Sequence, residues 1–184
     1  MTEKEKILEG QLRECYGRVV YSHKTHEKCA DTLLKRQSCI KIFQIAISAL
    51  VTGGILSIFL GTKGWGTTIS AALSAGLFAL NAYTKDYDLG TIAQKHRQAA
   101  SDIWIIRERY LSLLTDVRTG DVEIESIRAQ RDALAEELYS VYVGAPSTNF
   151  KAYKKAQKAL KKLEDMTFSD EEIDAFLPME LKRK

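Results

Sequence analysis

Residues 42–84 read IFQIAISALVTGGILSIFLGTKGWGTTISAALSAGLFALNAYT, 43 residues that carry one charge, Lys63. A bilayer core about 30 Å thick takes about 20 apolar residues of helix, at about 1.5 Å each. Residues 42–62 and 64–84 are each 21 residues without a charge, so each is long enough to cross. Between them GTKGWG, Gly61–Gly66, supplies three glycines, which favour a tight reversal. The stretch predicts a transmembrane helical hairpin. The rest of a 184-residue chain holds too little apolar surface to bury such a hairpin in a soluble core.

The spans carry hydroxyls and amides that lipid does not accommodate well. The first holds Gln44, Ser48, Thr52 and Ser57; the second holds Thr67, Thr68, Ser70, Ser74 and Asn81. Such groups belong against protein or water, which predicts a homo-oligomer. Ala71, Ala75 and Ala79 repeat every four residues, as do Ala72 and Gly76, a spacing that lets helices approach closely. A second face, Thr67, Ser70, Ser74, Leu77 and Asn81, has the mixed character of a pore lining, with Leu77 or Phe78 as its apolar constriction. The competing reading is that the hydroxyls bond their own backbone and Asn81 bonds a neighbouring helix. Gln44, Ser48 and Thr52 form a rival stripe on span one.

Charge fixes the expected topology. Lys24, Lys28, Lys35, Arg36 and Lys41 precede the hairpin; Lys85, Lys95 and Arg97 follow it; Lys63 alone marks its tip. The positive-inside rule places both termini in the cytoplasm. Trp65 suits the far interface, and Tyr83 and Tyr87 the near one. Residues 1–41 lack the apolar core of a signal peptide, so span one is expected to serve as its own insertion signal. The chain divides into an N-terminal helix at 1–41, the hairpin at 42–84 and a helical region at 85–184. The net charge of +3 implies no general nucleic-acid coat.

Outside the hairpin the pattern is helical throughout. Leu8, Leu12, Cys15, Val19, Ser22, His26, Cys29 and Leu33 step by four and three, a coiled-coil seam that runs unbroken toward span one. Leu89, Ile92, His96, Ala99, Ile103, Ile106, Tyr110, Leu113 and Val117 form a matching seam, and span two is expected to continue into it as one helix. Thr119-Gly120-Asp121 predicts a glycine stop and an aspartate cap. A fourth helix from Val122 to about Tyr142 uses Ile124, Ile127, Arg131, Leu134, Leu138 and Val141. A fifth spans Asn149 to about Met166, with Tyr153, Ala156, Leu160 and Leu163 as its apolar face. Ser169 and Glu172 predict a capping box for a short sixth helix ending before Pro178, and the tail after it is expected to fray. The fold class is all-α: an integral membrane hairpin whose helices extend into a cytoplasmic helical bundle.

No phosphate loop, nucleophile elbow or metal signature occurs, so neither an enzyme nor a cofactor or metal is expected. Cys15, Cys29 and Cys39 match no zinc spacing and read as reduced and structural. His26 and His96 occupy seam positions whose heights differ by about 6 Å, at about 1.5 Å per residue. They read either as a pH-sensing layer or as two seam residues bonded to neighbours. Lys151, Lys154, Lys155, Lys158 and Lys162 fall in one band of the fifth helix, either a solvated face or a stripe for phosphates or anionic lipid.

The run from Tyr16 to Lys28, YGRVVYSHKTHEK, resembles the start of a SLATT domain, of the SMODS- and SLOG-associating two-transmembrane effectors of bacteria. His96-Arg97-Gln98, Trp104, Arg107, Arg109-Tyr110-Leu111 and Leu114-Thr115-Asp116 continue the likeness, which covers roughly residues 5–165. The resemblance implies a pore-forming effector of anti-phage defence in the inner membrane. A separate nucleotidyltransferase would make its nucleotide or oligonucleotide signal, and the pore would depolarise the membrane and arrest growth. On this reading the subunits form a homo-oligomer, with a tetramer favoured. Lys151, Lys154, Lys155 and Lys158 bind the signal, and Arg18, Lys24 and Arg97 are further candidates. The alternatives are a membrane-anchored interaction protein without channel activity and a holin-like toxin that needs no ligand.

Overall fold

Nothing in residues 3–59 stops a helix: there is no proline, and the glycines lie singly or as the pair Gly53-Gly54. In the computed structural model this run is one helix, α1 (Glu3–Phe59), 57 residues long. At about 1.5 Å per residue it extends for about 85 Å. The structure describes residues 2–59, 65–163 and 166–182. Most of the reversal expected at Gly61–Gly66, the charge at Lys63 and the end of the tail lie outside them. Among the described residues 88% of the fold is helix and none is strand.

The far half of α1 runs beside α2 (Gly66–Asp86). Gln44 Nε2 donates to Asn81 Oδ1 at 2.7 Å and lies 3.4 Å from Thr84 Oγ1, while Gly54 meets Ser70. Pairing 44 with 81 and 54 with 70 makes the two helices antiparallel. A Cβ at Gly54 would stand 2.0 Å from Ser70 Oγ and 3.3 Å from its Cβ, so any larger residue forces the serine to move. Among the described residues α1 is the one helix long and apolar enough to cross a membrane. Its most apolar window has mean hydropathy 1.9, and none of that window is buried inside the chain.

The expected continuous helix through span two is interrupted. α2 ends at Asp86, and α3 (Leu89–Thr119) starts afresh. The Asp88 carboxylate accepts from the backbone N–H of Gly90 at 2.9 Å and of Thr91 at 3.1 Å, and from Thr91 Oγ1 at 2.6 Å. It thus satisfies donors that a new helix start leaves unpaired. These bonds hold its carboxyl below the usual range, those from Thr91 first. Gly90 lies close against Gln37 of α1, which seats the start of α3 on the long helix.

α3 packs antiparallel along the near half of α1, and the two seams meet as their spacing predicts. Leu8, Leu12 and Val19 of α1 pack with Ile103, Ile106, Tyr110, Leu113 and Val117 of α3. Arg118 to Glu9 and Arg97 to Asp31, each 3.1 Å, bracket the contact. Gly120 at φ 74° ends α3, the left-handed stop that glycine supplies without strain. The aspartate cap is displaced: α4 (Ile124–Gly144) begins after Glu123, not Asp121. Its Ile127 and Leu134 complete the core. Arg131 Nη1 donates to Gln11 of α1 at 2.6 Å.

α5 (Phe150–Lys162) is capped by Asn149, whose side chain accepts from the Ala152 N–H at 2.9 Å. It lies on α1 through Ala152, Ala156 and Ala159. The expected face of Tyr153, Ala156, Leu160 and Leu163 is therefore rotated, with Leu163 67% exposed. Alanines let the helix axes close up in a way that tyrosine and leucine would not. The helix also ends at Lys162, short of Met166. α6 (Asp170–Phe176) carries the predicted Ser169–Glu172 capping box.

Candidate functional site

All three histidines of the chain are buried in the α1–α3 seam. His23 Nδ1 donates to the Ala100 carbonyl at 2.9 Å. Its Nε2 is 3.8 Å from Glu27, and its ring lies 5.3 Å from that of Trp104. Arg107 also packs on Trp104, its guanidinium 4.4 Å from the indole centroid and 5.8 Å from the ring of Tyr16. Each such cation–aromatic contact is worth about 0.5–2 kcal/mol. Arg107 also pairs with Glu108, while its Nε is buried without a hydrogen-bond partner. Lys24, its side chain 8% exposed, pairs with Glu27 at 2.7 Å. A cavity of about 350 Å³ opens beside this group, lined by His23, Lys24, Glu27, Ser101, Trp104 and Met166.

His26 and His96 face each other with Nδ1 atoms 3.0 Å apart. One ring must donate and the other accept, so the two hold complementary tautomers. Burial, then His96, then His23 pushes the His26 pKa down to about 4. Burial lowers His96 as well. The pair is therefore neutral at neutral pH. The offset of about 6 Å expected from continuous helices is taken up in part at Asp88, where the backbone between α2 and α3 is extended and gains about 2 Å over a helical residue.

A second concavity lies on another side of α1. Tyr21 of α1, Tyr142 of α4 and Tyr153 of α5 wall an open cleft of about 630 Å³, with Arg18, Ser22 and Thr25 on its α1 side. Tyr21 and Tyr153 stack at 5.6 Å.

The seam group draws together Tyr16, His23, Lys24, His26 and Glu27 with His96, Trp104 and Arg107, two runs about 80 residues apart in the chain. Residues 8–172 match the profile of SMODS and SLOG-associating 2TM effector domain family 4. The chain belongs to this SLATT family. No curated protein and no solved structure matches it. The family description is of an effector domain with two transmembrane segments that associates with SMODS and SLOG. The unburied apolar half of α1 fits that membrane location.

In this SLATT chain the residues expected to line a pore divide into two sets. Ser70 is buried against Gly54, Asn81 accepts from Gln44, and Leu77 is half-buried. Thr67, Ser74 and Phe78 are exposed, Phe78 by 77%. At about 100° per residue the first set forms the flank of α2 that meets α1, and the second lies directly beside it.

The basic candidates also separate. Lys155 Nζ donates to Thr32 of α1 at 2.9 Å, and Lys154 stands 4.8 Å over the ring of Phe150. Lys151 and Lys158 are exposed. Arg97 pairs with Asp31, Lys24 with Glu27, and Arg18 lies 3.9 Å from Glu14. The tyrosine cleft and the Trp104–Arg107 stack were not anticipated. Their sequence signals were the aromatic and basic residues in the run from Tyr16 to Lys28 and, for the stack, Trp104 and Arg107 themselves. Cys15, Cys29 and Cys39 are free, and burial raises the Cys29 thiol while Asn149 donates to its sulfur at 3.9 Å.

Proposed function

We propose that this chain is a pore-forming effector of bacterial anti-phage defence, gated by a nucleotide or oligonucleotide signal that a separate nucleotidyltransferase makes. The observation that carries the reading is α1: one helix joins the bundle's buried seam to an apolar segment that stays unburied among the described residues even with α2 beside it. A ligand that favours one arrangement of the bundle thereby acts on the membrane segment without an intervening joint. α1 and α2 both cross the inner membrane, with both termini in the cytoplasm beside the flanking lysines and arginines. Copies assemble, a tetramer being favoured, through the alanine-rich exposed face of α2. Thr67, Ser74 and Phe78 face the axis, backed by Ser70, Leu77 and Asn81 on the hairpin seam. Lys151, Lys154, Lys155 and Lys158 attract the signal's phosphates, with Arg18, Lys24 and Arg97 as the further cations.

The test is ion flux from dye-loaded liposomes containing the purified chain, with and without nucleotides made by a neighbouring nucleotidyltransferase. Flux that rises or falls with the nucleotide supports the reading. Reversing the four lysines to Glu should abolish the response while leaving the mass of the detergent-solubilised complex unchanged. One observation favours a second reading, a membrane anchor without a channel: Ser70 and Asn81 are already occupied within a single hairpin. Absence of flux under every condition supports the anchor.

A further inference from the structure

We propose that the tyrosine cleft between α1, α4 and α5 is a nucleotide site that takes a base on each side of Arg18. This rests on the nucleotide-signal reading above and names where the signal sits. The cleft of about 630 Å³ adjoins a second lobe of about 230 Å³, lined by Val19, Tyr110, Leu138 and Tyr139. Arg18 and Tyr142 belong to both lobes. The larger lobe falls within the size range of small-molecule sites, about 300–1,000 Å³.

The walls suit planar heterocycles. Tyr142 and Tyr153 are 42% and 41% exposed, although Tyr110, at the floor of the smaller lobe, is only 1% exposed. Tyr21 backs Tyr153 by stacking on it, which fixes one ring as a platform. Bases stack on such rings whatever their identity, and Ser22, Thr25 and Thr148 supply hydroxyls for a base edge. Arg18 is the cation between the lobes, its side chain 66% exposed. Its neighbours are weak holds: Glu14 at 3.9 Å and the Cys15 sulfur at 3.5 Å. A guanidinium so placed turns readily onto a phosphate and grips it with two parallel bonds. Two aromatic lobes with one arginine between them reproduce the base–phosphate–base order of a dinucleotide.

The lysines of α5 do not share this cleft. At about 100° per residue, Lys151, Lys155 and Lys158 lie on the edge of α5 away from Tyr153, and Lys155 is tied to Thr32. A ligand in the cleft touches α1 at Arg18 and Tyr21, on the helix that continues unbroken to Phe59.

The experiment titrates the full chain in detergent with the linear dinucleotide pApA, and with ribose 5-phosphate as the probe without a base. Ligand-detected NMR or calorimetry reads the affinity. Binding of pApA in preference to ribose 5-phosphate is expected, weakened about tenfold by Tyr142→Ala and by Tyr153→Ala. Tyr142→Phe should retain it, since stacking needs the ring alone. Arg18→Ala should weaken it as well, and Arg128→Glu, in the first half of α4 and outside both lobes, should leave it intact. The proposal is overturned by no pApA binding at millimolar concentration, by equal binding of ribose 5-phosphate, or by unchanged affinity in both alanine variants. Loss on reversing the four α5 lysines with Tyr142→Ala unaffected places the signal on the lysine stripe and overturns the cleft, yet leaves nucleotide gating standing. Cleft binding that never alters liposome flux keeps the site and removes the pore.

Discussion

Acid should loosen the bundle, and the buried histidine pair should account for most of the effect. His26 has a pKa near 4 in the folded chain against 6.5 when unfolded. Between those values the unfolded chain holds the extra proton, so stability rises with pH and is lost as pH falls from about 6.5 to about 4. Each pH unit of that window is worth about 1.4 kcal/mol per proton, a ceiling of about 3 kcal/mol for His26. His96, lowered in the same direction, adds to the slope. Exchanging one partner, His26→Leu, leaves the buried His96 Nδ1 without its bond and costs about 1–3 kcal/mol at neutral pH. Exchanging both to Leu removes both polar groups and should approach neutrality. The assay is Tm against pH for the detergent-solubilised chain. A span of several degrees between pH 7 and pH 4.5 is expected for the native sequence, and a much flatter profile for His26→Leu/His96→Leu. An unchanged slope in the double variant would refute the reasoning and move the acid response elsewhere.

Truncating the core at Leu12→Ala or Ile103→Ala, both fully buried, should cost about 2–5 kcal/mol, read as a shift in the denaturation midpoint. Gln44→Leu removes the bond to Asn81 and should weaken the hairpin by about 1 kcal/mol, checked by steric-trap or thermal unfolding in bilayer mimetics. Gly54→Leu places a side chain where Ser70 Oγ already sits; cysteine crosslinking between α1 and α2 should fall sharply, and unaltered crosslinking would contradict the close approach. Asp88→Ala should lower the thermal midpoint and Asp88→Asn should largely restore it, because either amide or carboxylate oxygen can cap Gly90 and Thr91.

Helix periodicity carried most of the fold. The three-four spacing of Leu8 to Cys29 and of Leu89 to Val117 placed both halves of the seam, because a long amphipathic stripe has only one face to bury. No proline marks the break before Leu89, and Gly90 falls inside the new helix, not at the break. Its cue was the pair Asp88 and Thr91, a local competition between side chain and backbone that hydrophobic spacing does not register. α5 turned differently because three alanines, weakly apolar one by one, allow closer packing than Tyr153 and Leu163. The site was legible only as parts. Tyr16, His23, Trp104 and Arg107 stood out individually, but their stacking depends on the register of α3 against α1, to which the non-helical break at Tyr87 and Asp88 contributes. The tyrosine cleft joins three helices, and Tyr142 lies outside the α4 seam, so no single periodicity pointed to it.

An unjointed α1 keeps its two ends in phase. One residue inserted near Arg36 would turn the lipid-side half by about 100° relative to the bundle, whereas seven would restore the angle to within about 20° while lengthening the rod by about 10 Å. Insertions in this stretch should therefore be tolerated by azimuth, not by number.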